Sequence, residues 1–126
     1  IREVTSFLSE RKSALLARGV AHERIVLDPG IGFGKSVEHN LTLLAQQPAL
    51  LALGSPLLVG WSRKSTLGQT TGRPVHERLS ASVAAAVMAV ERGARIVRVH
   101  DVAATVDALK IWQAVRSLQI QQEAGP

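Results

Sequence analysis

Three short apolar runs alternate with stretches of helical periodicity, and this alternation limits the fold more than any other feature of the chain. The runs are Arg24-Ile25-Val26-Leu27-Asp28, Pro56-Leu57-Leu58-Val59-Gly60 and Arg95-Ile96-Val97-Arg98-Val99. Short continuous apolar segments of this kind are typical of buried parallel strands. Ahead of the first, residues 1–18 carry Val4, Phe7, Leu8, Leu15 and Leu16 at helical spacing, with Gly19 as a stop. Val37 to Leu53 reads as a helix that Pro48 kinks or splits. His76 to Arg92 is an alanine-rich helix closed by Gly93, and Trp61 to Pro74 is a polar loop. Val102 to Leu118 is amphipathic, with Val102, Val106, Leu109, Trp112 and Val115 on one stripe, and residues 119–126 form a frayed tail. The order is therefore one helix and then three βα units. Such alternation implies an α/β fold with a parallel sheet and right-handed crossovers. A doubly wound open sheet and part of a (β/α)8 barrel both satisfy it. No linker divides residues 1–126, which form a single unit.

Composition removes several classes of function. With 126 residues the chain is long enough for one real core, and 46% hydrophobic against 3% aromatic content makes that core aliphatic. The absence of cysteine excludes disulfides, thiolate metal sites and a cysteine nucleophile, and suits a cytoplasmic protein. No apolar run approaches a membrane span. The net charge of +5 favours anionic ligands, but the cations are scattered and no aromatics interleave with them, which argues against nucleic acid. The chain opens directly in a helical pattern, and Met88 is its only methionine, so it reads as a piece of a longer polypeptide.

In parallel α/β folds ligands sit beyond the carboxyl ends of the strands. The first run ends in Asp28 and enters "DPGIGFGKS", the second leads into Ser62-Arg63-Lys64-Ser65, and the third into Arg98-Val99-His100-Asp101. The glycine stretch fails both common phosphate signatures. A P-loop needs glycine where Pro29 stands, and the dinucleotide fingerprint needs its third glycine one residue later than Gly34. Asp28-Pro29 suits an ordinary strand exit, and equally a carboxylate that accepts hydrogen bonds from an N–H-rich ring. Phe33 between two glycines suits ring stacking better than a core. Lys64 is either a solvated cation or an anion or carbonyl contact. Strand alternation puts Arg98 and His100 on one face, where they make an oxyanion clamp unless Arg98 is paired with a neighbouring helix. His22, His39 and His76 fall in loop or surface positions, no residues have metal-ligand spacing, and no nucleophile motif such as G-x-S-x-G occurs. Any catalysis must come from positioning and charge stabilisation.

"LDPGIGFGKS", "PLLVGWSRKS", "ERLSASVAAAVMAVERGA" and "IVRVHDV", in this order and spacing, resemble the C-terminal half of the dihydropteroate synthase family over roughly Ile25 to Trp112. The resemblance implies strands six to eight of a (β/α)8 barrel. It implies condensation of 6-hydroxymethyl-7,8-dihydropterin pyrophosphate with p-aminobenzoate in folate biosynthesis, with Mg2+ held by parts of the family barrel not found here. It also implies a sulfonamide target and a homodimer formed through the helices. On this reading Asp28 and Gly60 serve the pterin, and Lys64 contacts the pterin and flanks the aminobenzoate. Phe33 and Ser65 lie beside the aminobenzoate, and Arg98 and His100 hold the pyrophosphate. Lys64, Arg98 and His100 are the expected catalytic residues. With three of eight strands, the chain alone is expected to be inactive. The rival readings are a methyltetrahydrofolate methyltransferase-type barrel, a non-catalytic oligomerisation piece and a nucleic-acid binder; "SRKS" and "RVHD" favour the synthase.

Overall fold

The computed structural model describes residues 1–125. Helix α1 (Arg2–Ala17) comes first, followed by a 3-10 turn at His22–Arg24, α2 (Val37–Ala45) and a 3-10 segment at Gln47–Leu53. Strand β1 (Leu58–Val59) leads to α3 (Ser65–Thr71), a 3-10 turn at Val75–Glu77 and α4 (Leu79–Glu91); β2 (Ile96–Val97) leads to α5 (Val102–Ala124). Most of the chain is thus helical around two parallel strands.

The strands are shorter than the apolar runs. β1 pairs parallel with β2, Leu58 opposite Ile96 and Val59 opposite Val97. The first run is not a strand: only Leu27 pairs, in a single parallel bridge to Leu57. It is nonetheless in place, because Leu27 donates to the Pro56 carbonyl at 2.9 Å and accepts from Leu58 at 2.9 Å. The 3-10 turn takes Arg24, and Asp28 turns back on its own loop, so neither end extends the ladder.

Alternate residues of the three runs face opposite ways. Ile25, Leu27, Leu57 and Val59 are buried with Leu43, Leu44, Leu50, Ala85 and Ala89 in one aliphatic core. Val26 (45% exposed) and Ile96 (43%) lie on the other side. By the same parity Asp28, Gly60 and Arg98 continue that side beyond the strand ends.

Helix boundaries depart from expectation for local reasons. Pro48 does split its helix: α2 ends at Ala45 and the chain restarts as 3-10 with the proline in the first turn. The expected loop Trp61–Pro74 contains α3, although Ser-Thr-Leu-Gly-Gln-Thr-Thr is a poor helical sequence. Thr66, Leu67 and Gly68 are buried, and the Thr70 and Thr71 hydroxyls bond back to the Thr66 and Leu67 carbonyls, so tertiary packing overrides propensity. α4 begins at Leu79 because Pro74 opens a separate 3-10 turn. α5 continues to Ala124 through good helix formers, and Gly125 ends it; of the tail expected to fray, Pro126 lies outside the described residues. The expected apolar stripe of α5 is not its packed face. Thr105 is buried there, Leu109 and Trp112 are half-buried, and Val102, Val106 and Val115 are exposed.

Buried polar groups tie the layers together. Lys12 of α1 reaches the Leu53 carbonyl. Gln47, 1% exposed, donates to the Ala89 carbonyl at 2.9 Å and the Arg92 carbonyl at 3.1 Å, capping the end of α4. Gln47→Leu keeps the bulk but takes the side-chain donor from the Arg92 carbonyl and leaves the Ala89 carbonyl with the Arg92 and Ala94 amides alone. It is expected to cost about 1–3 kcal/mol, read as a lower urea midpoint at unchanged slope; an unchanged midpoint would show that the cap is dispensable.

Candidate functional site

The site forms where the chain leaves the three runs. Asp28 accepts from the Gly30 amide at 2.8 Å, which curls the glycine stretch into a turn just past the strand. Within that turn Lys35 donates to the carbonyls of Gly30 (2.8 Å) and Phe33 (3.0 Å). Asn40, buried on α2, accepts from the Gly32 amide at 3.0 Å and donates to the Thr66 hydroxyl at 2.9 Å. One carboxamide therefore fixes the glycine loop to the start of α3. Gly32 has φ +86°, a conformation that calls for glycine, and a Cβ there would stand in tight contact with Lys64 Cδ at 3.2 Å. Phe33 is left 69% exposed at the tip.

Lys64 crosses beneath this loop. Its ammonium donates to the Ile31 carbonyl and lies 5.2 Å from the centroid of the Phe33 ring, within cation–π range. Burial pushes the Lys64 pKa below the ordinary lysine value, and the Arg98 charge lowers it further. Asp28 opposes the shift and Lys35 adds to it.

Beyond the paired strands the same register persists. Arg98 stands opposite Gly60, and a Cβ on Gly60 would meet the guanidinium at 2.7 Å, so the missing side chain is what lets Arg98 lie across the backbone. Its Nη1 reaches Asp28 at 3.5 Å. Ser62 stands opposite His100, its Oγ 2.7 Å from Nδ1 and accepting the His100 amide at 3.1 Å. Arg63 stands opposite Asp101, 3.1 Å away. Arg63 adopts φ +58°, uncommon for a side-chain-bearing residue, and is held there by the Ser82 hydroxyl on its amide (2.9 Å) and Arg78 on its carbonyl (2.9 Å).

Asp28, Phe33, Gly60, Lys64, Arg98 and His100 are thus brought to one end of the sheet; Ser65 begins α3 beside them, exposed. The expected alternative of Arg98 paired with a helix does not occur: its partner is Asp28. The face is open. Two cavities lie away from Asp28 and Lys64, about 680 Å³ between α4 and α5 and about 380 Å³ beside Arg63 and His76. Sequence reasoning singled out neither Asn40 nor Ser62. Asn40 carries a weak signal, a polar residue in the helical run "HNLTLL"; Ser62 stands in the "SRKS" motif, but its partner His100 follows only from the strand register. Among the described residues no three His, Asp or Glu side chains gather as a metal site. The two site carboxylates are paired with Arg98 and Arg63, so the residues present do not on their own fit a magnesium ion.

The face so formed carries Asp28, Lys64, Arg98 and His100 at the end of a parallel sheet, and the chain belongs to the pterin binding enzyme family, which it matches over residues 1–100. Its relatives are dihydropteroate synthases. It is 52% identical to the one from Neisseria meningitidis serogroup B over 119 residues, 91% of this chain but 42% of that protein. The solved enzyme of Stenotrophomonas maltophilia, with active-site-bound imidazole, superposes with a TM-score of 0.90 at 58% identity, over 91% of this chain and 44% of the other. The Xanthomonas albilineans enzyme, solved with 7,8-dihydropteroate and with 4-aminobenzoic acid, gives 0.91 at 51% identity over 92% of this chain; the share of its own length is 45% and 43%. The chain therefore spans less than half the length of these relatives. No helix among the described residues is long and apolar enough to cross a membrane.

The lowered Lys64 pKa is open to test by limited acetylation across a pH series. Lys64 is expected to react at lower pH than exposed Lys110, with Arg98→Ala moving the onset up and Asp28→Asn moving it down. Folding depresses this pKa, so the unfolded chain keeps its proton to higher pH. Lys64 therefore adds stability as pH rises through its folded-state value. Equal onsets for the two lysines would sink this account.

Proposed function

We propose that the chain supplies one side of a dihydropteroate synthase site, joining 6-hydroxymethyl-7,8-dihydropterin pyrophosphate to p-aminobenzoate with release of pyrophosphate in cytoplasmic folate biosynthesis. The observation that carries this reading is the convergence of Asp28, Lys64, Phe33, Arg98 and His100 at one sheet end, in a chain whose relatives have that activity. Asp28 accepts hydrogen bonds from the pterin N–H groups and Gly60 gives the ring room against the backbone. Lys64 lies between the pterin and the amine, and Phe33 with Ser65 borders the aminobenzoate. Arg98 and His100 hold the pyrophosphate as it leaves. Departure of that anion generates a resonance-stabilised pterin cation, which the aromatic amine attacks. These residues align the rings and stabilise the leaving charge, so no nucleophilic side chain is required. The magnesium of the reaction, which offsets charge on the pyrophosphate, belongs to residues outside this set.

The Arg98–Asp28 pair suits this role. It is largely exposed (56% and 39%), and such pairs contribute only about 0.2–1 kcal/mol. A ligand that gives Asp28 an N–H donor and Arg98 a phosphate displaces it at little cost.

The three runs fit strands six to eight of a (β/α)8 barrel. The apolar face of Val26, Leu58 and Ile96 is then barrel interior, continuous with the substrate-facing side at Asp28, Gly60 and Arg98. The exposed stripe Ile111, Val115 and Leu118 on α5 supports a homodimer through the helices.

Calorimetric titration with the pterin pyrophosphate is expected to show binding that Arg98→Ala weakens by at least about tenfold, the loss of a charged hydrogen-bond donor. Binding that Arg98→Ala leaves intact would refute the pyrophosphate clamp. The isolated chain is expected to give no measurable turnover with both substrates and magnesium, and full turnover would overturn its reading as a partial site.

A further inference from the structure

We infer that Ser62 is a positioning residue that fixes the proton of neutral His100 on Nε2, so that the ring presents an N–H donor outward. The argument rests on hydrogen-bond valence. Ser62 is buried and His100 exposed. The Ser62 Oγ already accepts the His100 amide at 3.1 Å and lies 2.7 Å from Nδ1 of the same residue. Among the described residues it has no other partner. A hydroxyl carries one proton and accepts through its lone pairs.

Two arrangements follow. With the ring proton on Nδ1, Oγ accepts from both Nδ1 and the amide, and the hydroxyl proton points into the protein with nothing to receive it. With the ring proton on Nε2, the hydroxyl donates to Nδ1 and each group is satisfied. Stranding a buried donor disfavours the first arrangement by roughly tenfold or more. The strand register imposes this geometry, because Ser62 faces His100 across the same 38-residue offset that relates Leu58 to Ile96. A histidine held this way meets an anionic oxygen with a donor and without prior rotation of the ring. The identity of that anion as pyrophosphate rests on the proposed function; the tautomer does not.

Long-range 1H–15N correlation spectra of the labelled full chain, taken at the alkaline plateau of the His100 titration, decide the matter. The expected result is a pyridine-like Nδ1 and a pyrrole-like Nε2. The opposite pattern, or a mixture like that of free imidazole, overturns the inference with no variant needed. In Ser62→Ala the preference is expected to collapse toward the mixture, and Ser62→Thr, which keeps the hydroxyl, is expected to restore it. A purely structural loss would not move this signature while the remaining spectrum stays folded. In parallel, titration with inorganic pyrophosphate is expected to weaken by roughly five- to tenfold in Ser62→Ala, approaching the effect of His100→Ala. Wild-type affinity in Ser62→Ala beside a loss in His100→Ala overturns the positioning role. Should neither His100→Ala nor Arg98→Ala weaken binding, the pyrophosphate reading fails, and the tautomer stands or falls on the spectra alone.

Discussion

The parallel pairing of Leu58–Val59 with Ile96–Val97 is short, yet the site depends on its register. Carried past the last ladder residue, it sets Gly60 against Arg98, Ser62 against His100 and Arg63 against Asp101. Each pair is chemically matched: an empty Cα face for a planar guanidinium, a hydroxyl for an imidazole, a cation for a carboxylate. A slip of one residue would turn Arg98 and His100 to the core side and bring Val97 and Val99 out. The pairs beyond the ladder therefore also help specify the register, since no other alignment satisfies them together.

Polar tethers complete the site where the strands give out. The glycine loop has no strand to hold it, and its order comes from four side chains: Asp28 on the Gly30 amide, Lys35 on its carbonyls, Asn40 on the Gly32 amide and Lys64 on the Ile31 carbonyl. Asn40 matters most, because its other end holds Thr66 at the start of α3. Phe33 and Lys64 come from loops about thirty residues apart in sequence, and one buried carboxamide keeps the two loops in register. Such hydrogen bonds are worth about 1 kcal/mol each, but a buried amide left without one costs more than that. The loop is therefore constrained mainly by the penalty for the alternatives.

Legibility in the sequence followed the length scale of the interaction. The alternation of apolar runs and helices, the break at Pro48 and the common face of Arg98 and His100 are local patterns, and the structure reproduces them. α3 was invisible because its stability comes from burying Thr66 and Leu67 rather than from propensity. Ile25, Val26 and Leu27 favour a strand, but a single neighbouring segment on one side supports only the Leu27 bridge. The left-handed backbone of Arg63 and the tether at Ser62 depend on contacts with Ser82, Arg78 and His100, which no local pattern encodes. The glycine loop was legible in part. Its sequence excluded the phosphate signatures, whereas the close passage of Lys64 by Gly32 belongs to the tertiary structure.

The electrostatics favour an anionic ligand by more than net charge. Lys35, Arg63, Lys64 and Arg98 face two carboxylates, Asp28 and Asp101, which leaves two positive charges in excess with histidine neutral. Lys64 bears the cost of that excess, its proton loosened by burial and by Arg98. An anion arriving beside Arg98 would offset the repulsion and draw the Lys64 pKa back up. By linkage, the same coupling makes protonated Lys64 bind the anion more tightly than neutral Lys64 does. Binding of the anion and protonation of the lysine are therefore one coupled event. A site arranged this way holds its charges in a less favourable state when empty and recovers that free energy when an anion binds.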